Sequence, residues 1–103
     1  MERFTPLFRA LAERSRLQIV GELLREPQHV GELVRRTGLG QSLVSHHLKV
    51  LRAAGIVVSK RRGPFVYYSL AGNAVRSLLE SAAAWGDPHG KADRDDEART
   101  GGE

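Results

Sequence analysis

The stretch GQSLVSHHLKVLRAAG, residues 40–55, decides the fold. Glycines bracket it at both ends. Leu43, Val44, Leu48 and Leu51 recur at helical spacing and make an apolar face. Ser42, Ser45, His46 and Lys49 fall at i, i+3, i+4 and i+7 and make a second, wholly polar stripe. The pattern predicts a helix over about 41–54, stopped by Gly55. Short hydroxyls and an imidazole are poor solubilising groups, so the polar stripe calls for a partner.

Upstream, Thr5-Pro6 reads as a helix start, with Leu7, Phe8 and Leu11 following at helical spacing. A second helix is expected from about Glu13 to Arg25, with Leu17, Val20, Leu23 and Leu24 on its apolar face and Ile19 flanking it. Glu26-Pro27 ends it, because a residue before proline avoids the α region. A third, short helix covers about Val30 to Arg36. His29 is expected at its N-cap with Glu32 as capping-box partner, and Gly38 closes it.

Downstream the period changes. IVVSKRRGPFVYYSL, residues 56–70, is rich in β-branched and aromatic residues around Arg62-Gly63-Pro64, which predicts a β-hairpin with a basic tip. A last helix, about Asn73 to Trp85, carries Val75, Leu78, Leu79, Ala82 and Trp85 on one side. From Gly86 onward there is no apolar periodicity, so residues 87–103 are expected to form a disordered acidic tail behind one domain over 1–86. The order helix, helix, helix, helix, hairpin, helix is mainly α (α+β). The short helix, the tight turn at 37–40 and the longer helix make a helix-turn-helix, and the hairpin adds a wing.

Charge is divided along the 103 residues. Residues 1–70 hold twelve Lys/Arg against five Asp/Glu, a balance of +7, whereas 71–103 hold four against seven, a balance of −3. A basic body with an acidic tail suits a polyanionic partner. On the fourth helix, Gln41 and Ser42 at the N-terminal end, Ser45 and His46 one turn on, and Lys49 beyond match the edges of a DNA major groove. Lys60, Arg61 and Arg62 sit where a wing reaches phosphate or minor groove, a contact that adds salt-dependent affinity. Arg35 and Arg36 have two readings, phosphate contact or complementation of a helix dipole. No segment approaches the length of a membrane span, and MERFTPLFRA has no signal-peptide h-region, so a cytoplasmic location without membrane attachment is expected.

GQSLVSHHLKVLRAAGIV followed by KRRGPFVYYSL, with LFRALAERSRLQIVGELL upstream, resembles the ArsR/SmtB family of winged-helix regulators from about Phe4 to Trp85. The resemblance implies a homodimer, usually a repressor, on an inverted repeat in promoter DNA. It also implies a dimer interface from the first and last helices: Phe4, Leu7, Phe8, Leu11, Val75, Leu78, Leu79, Ala82 and Trp85. The family's DNA contacts match Gln41, Ser42, Ser45 and His46. His47 matches a recurrent histidine for which backbone contact and packing on the third helix are both open.

The chain departs from the family's metal sensors. Where many carry Cys-x-Cys, this chain has His29 and Gly31, and it has no cysteine at all, so thiolate metal sites are excluded. The family's Asp-x-His and later histidine positions fall on Gly72, Ala74, Trp85 and Pro88. Asp87 and His89 in the tail are the remaining candidates for nickel or zinc, set against a plain solvated tail. Further options are a metabolite pocket, an effector-bearing co-regulator protein, or no effector at all, with regulation by expression level.

Two other functional classes fit the residues poorly. Catalysis has only Ser45 beside His46 or His47, neighbours that do not face each other on a helix and lack a carboxylate to orient the ring. A protein-interaction winged helix calls for an apolar or acidic recognition face, and this one is polar and basic.

Overall fold

The computed structural model describes residues 5–85, with Trp85 described by its backbone alone. Eight elements follow in order: α1 (Thr5–Leu11), α2 (Arg14–Leu23), β1 (Gln28–His29), α3 (Val30–Thr37), α4 (Gln41–Ala53), β2 (Val57–Arg62), β3 (Phe65–Leu70) and α5 (Asn73–Trp85). The expected four helices, hairpin and closing helix are all present. Phe4, Asp87, His89 and the expected tail at 87–103 lie outside the described residues.

Local chemistry sets the boundaries. Glu13 caps α2, its Oε1 accepting from the Arg16 backbone N–H at 2.8 Å. That satisfies one of the donors a helix start leaves orphaned. The capping box of α3 is formed as its spacing predicts. The Glu32 N–H donates to His29 Nδ1 at 3.4 Å, and the His29 N–H donates to Glu32 Oε1 at 3.1 Å. Gly38 ends α3 with φ of 77°, a left-handed conformation that glycine adopts without a Cβ penalty. At the hairpin tip, Gly63 has φ of 60° and Pro64 follows it. A glycine in the first central position matches the type II′ turn, whose twist suits a two-residue hairpin.

The sheet has order β1-β3-β2 and both pairings are antiparallel. In the hairpin Lys60 faces Tyr67, Arg61 faces Val66 and Arg62 faces Phe65. The two-residue β1 was not expected. It pairs Gln28 with Tyr68 and His29 with Tyr67, and so ties the entry of α3 to the wing. Two residues are too few to display a strand period, so only the tertiary pairing reveals it.

One core serves every layer. Ala10, Ile19, Val20, Leu23, Leu33, Val44, Leu48, Leu51, Ile56, Val57 and Leu70 are buried together. Two assignments of helix face need correction. On α2, Ile19 is fully buried while Leu17 is 48% exposed, and on α4, Leu43 is 42% exposed. The helix spans one apolar stripe roughly 100° wide, and the actual packing centres that stripe on Ile19-Val20-Leu23 and on Val44-Leu48-Leu51. At the far end, Arg76 of α5 donates to the Leu24 carbonyl at 2.6 Å, fastening the last helix to the end of α2.

Candidate nucleic-acid interface

Helix α4 is held from behind and open in front. Val44, His47, Leu48 and Leu51 are buried, while Gln41, Ser42, Ser45, His46 and Lys49 are all exposed. The turn before it is rigid: Thr37 Oγ1 donates to the Leu33 carbonyl at 2.6 Å and accepts from the Leu39 N–H at 3.2 Å. Gly40 supplies no side-chain cap to α4. The first N–H groups of the helix therefore point outward beside Gln41 and Ser42, an arrangement that favours an anion.

A cleft of about 360 Å³ lies between α4 and the sheet, lined by Ser45, Leu48, Lys49, Arg52, Ala53 and Tyr68. Arg52 and Tyr68 were not among the expected site residues. Arg52 continues the polar stripe three residues beyond Lys49, so periodicity alone could have found it. Tyr68 reaches the cleft because the hairpin packs with this face toward α4, a tertiary contact for which local sequence has no signal.

The hairpin divides the three wing cations. Successive strand residues point to opposite faces. Val57 and Leu70 face the core, so Arg61 shares the face of Tyr68 and of the α4 cleft. Lys60 and Arg62 share the other face with Tyr67 and line a separate hollow there. Arg61 also bonds the turn, donating to the Gly63 carbonyl at 3.4 Å. On α3, Arg36 lies 3.9 Å from the Glu22 carboxylate, and Arg35 donates to the Gly31 carbonyl at 3.5 Å. Arg36, in the last turn of α3, thus also reaches the carboxylate of α2.

His47 answers to neither expected role. Its ring packs against the start of α2: Nδ1 lies 3.3 Å from an Arg16 guanidinium nitrogen and Nε2 lies 3.7 Å from Glu13 Oε1. The same Arg16 donates from Nε to the Ala10 carbonyl of α1. One arginine thereby joins α1, α2 and the buried side of α4. Burial pushes the His47 pKa below its ordinary value of 6.5; Arg16 and His46 push it the same way, and Glu13 opposes them. The neutral ring is the folded form: its Nδ1 accepts from Arg16, and a proton there would leave two donors facing each other.

A stability test follows from that direction. The unfolded chain takes up the proton at a higher pH than the folded chain, so the contribution of His47 is complete above 6.5. It is lost as pH falls through the depressed folded value. Urea unfolding of the wild type should show a higher midpoint at pH 7.5 than at pH 5.5, and His47→Gln should shrink that difference. An equal difference in both proteins would remove His47 as its source.

The seven expected dimer residues whose side chains are described fall into two groups. Leu7, Leu11, Val75 and Leu79 are half-buried and lean on the chain's own core. Phe8 is 54% exposed, Leu78 is 39% exposed, and Ala82 is exposed. Among the described residues, no group of three or more His, Asp or Glu side chains is placed to hold a metal ion. No described helix is long and apolar enough to cross a membrane.

Comparison with known proteins agrees with this geometry. The profile described as "Bacterial regulatory protein, arsR family" matches residues 13–59. The chain is 45% identical over 73 residues to the HTH-type transcriptional regulator NmtR of Mycobacterium tuberculosis, covering 71% of this chain and 61% of that protein. It is 38% identical over 82 residues to the transcriptional repressor SmtB homolog of a Synechocystis species, covering 80% and 62%. The chain thus spans about three fifths of the length of these curated relatives. Among solved structures, the homodimeric winged helix-turn-helix DNA-binding domain of Mb0332 from Mycobacterium bovis superposes with a TM-score of 0.82. It is 30% identical, and the match covers 85% of this chain and 82% of that one. In sequence, in element order and in the shape of its helix-turn-helix and wing, this chain belongs to the ArsR family of bacterial regulatory proteins.

Proposed function

We propose that this chain is a homodimeric, sequence-specific regulator of promoter DNA that acts from the cytoplasm and represses by occupying an inverted repeat. One observation carries the reading. The outward side of α4 gathers Gln41, Ser42, Ser45, His46 and Lys49 on a helix whose other side is locked into the core. Gln pairs with adenine edges, and His and Lys suit guanine acceptors or phosphate. The two serines are short enough for the backbone to approach the groove floor. Leu43, exposed beside them, fits the apolar contact with a thymine methyl. Arg61, Arg52 and the open start of α4 supply phosphate contacts that fix register without reading sequence.

Fluorescence anisotropy tests the proposal. The full chain is titrated onto a duplex from upstream of its own gene, and onto a scrambled duplex of equal length, at several salt concentrations. Tight binding that prefers the first duplex and weakens as salt rises is expected. Equal binding to both duplexes at every salt concentration would reject sequence readout. In the same assay Arg61→Ala should weaken both duplexes alike and lower the salt slope by about 1. A slope unchanged by Arg61→Ala would remove the wing from the phosphate contacts.

A further inference from the structure

The sheet face turned away from α4 holds a feature that the proposed readout by α4 does not require. Lys60 and Arg62 of β2, Tyr67 and Ser69 of β3, and Pro27 before β1 line a hollow of about 220 Å³. Strand pairing explains the grouping. Lys60 sits opposite Tyr67 and Arg62 opposite Phe65, while Ser69 is two residues on from Tyr67 on the same face. Tyr68, the intervening residue, lines the α4 cleft on the other side. The hollow and the cleft are therefore back to back across the sheet.

Its charge is unbalanced. Neither Lys60 nor Arg62 forms an ion pair among the described residues. The Arg62 guanidinium stands 6.0 Å from the Tyr67 ring centroid, a contact that orients it and leaves its forward donors open. Two like charges facing one small space repel, and an anion between them relieves that repulsion. Two hydroxyls beside the cations add donors that suit a tetrahedral oxyanion. Tyr67, which lines the hollow, is held from beside it: the His29 ring meets the Tyr67 ring edge-on at 5.3 Å and stacks on Phe65 with centroids 4.6 Å apart. The same His29 caps α3, so the hollow is mechanically joined to the first helix of the helix-turn-helix.

We propose that this hollow binds the phosphate group of a small phosphorylated molecule, held by Lys60 and Arg62 with Tyr67 and Ser69. The site is separate from the proposed DNA surface and does not depend on that reading. The volume admits a phosphate or diphosphate and few further atoms. A phosphate of the duplex is the competing source of the same chemistry, and the orientation of the face argues against it.

The test titrates inorganic diphosphate into the isotope-labelled full chain and follows backbone amide shifts by NMR. Saturable shifts centred on Lys60, Arg62, Tyr67 and Ser69 are expected. Lys60→Gln with Arg62→Gln should weaken diphosphate at least tenfold, and Arg61→Gln, on the opposite face, should change it less than twofold. All three side chains are exposed, and matching thermal melts would confirm that each variant folds. Non-saturating shifts, or a loss in Arg61→Gln as large as in the double variant, would reduce the effect to general charge and overturn the site. A duplex-binding arm separates the sources. If the double variant loses DNA affinity as severely as Arg61→Gln, the two cations serve the duplex backbone and the proposal fails.

Discussion

Phe8→Asp combined with Leu78→Asp should turn the chain into a monomer and lower its affinity for a full inverted repeat by roughly 10²–10⁴-fold. The size of the loss comes from linkage. Once one protomer of a dimer has bound its half-site, the second binds as an intramolecular step at high effective concentration. A monomer forfeits that step and keeps only its own contacts. Phe8 and Leu78 are the right positions because they are exposed apolar side chains on α1 and α5. Leu7, Leu11, Val75 and Leu79 pack on the chain's own core, so charging them would damage the fold and confuse the result. Sedimentation velocity reads the oligomeric state, and anisotropy on full and half operators reads the affinity. Half-site binding should stay within about twofold. A variant that remains dimeric would place the interface elsewhere, and exposed Leu17 on α2 would be the next position to charge.

Much of this architecture was legible because its signals are local. Gly38, Gly55 and Pro27 punctuate the helices, and the His29–Glu32 capping box is a three-residue spacing written in the chain. The hairpin announces itself by its change of period and by Gly63-Pro64. What escaped was non-local. The strand at Gln28–His29 exists only because β3 is there to pair with it. The choice of Ile19 over Leu17 as the core residue of α2 depends on where α4 and the sheet press. Both lie within reach of the apolar stripe, and periodicity alone does not separate them.

The candidate site divides along the same line. The polar stripe of α4 is a property of one helix, and its four expected members are exposed, as is Gln41 ahead of them. The wing cations read as one cluster in sequence because three consecutive basic residues look alike. A strand separates neighbours by face, so the pairing register assigns Arg61 to the α4 side and Lys60 and Arg62 to the other. His47 was opaque for a related reason. Its partners, Glu13 and Arg16, are more than thirty residues away in the chain. No spacing rule connects a histidine in one helix to the cap of another.

Ser45→Ala with His46→Ala should abolish preference for the specific duplex while leaving the fold intact. Each lost base contact is worth about 1–3 kcal/mol, so the pair costs roughly 2–6 kcal/mol at the specific site if both contacts reach base edges. Every 1.4 kcal/mol is about tenfold in affinity, so even the lower end is a loss of more than twentyfold. Binding to a scrambled duplex rests on charge, which Ser45→Ala leaves alone, and should fall by no more than about twofold. Thermal stability should hold, because both side chains point away from the core. The neighbouring position is the control. His47 is buried and engaged with Arg16, so His47→Ala should lower the melting temperature through a lost polar contact and a cavity. One residue step thus separates a change in recognition from a change in stability, because a helix turns by about 100° between them. If the specific and scrambled duplexes weaken together in the double variant, the face of α4 supplies attraction without readout. If neither weakens, α4 is not the element that meets DNA, and the reading of residues 40–55 on which the proposed function stands is wrong.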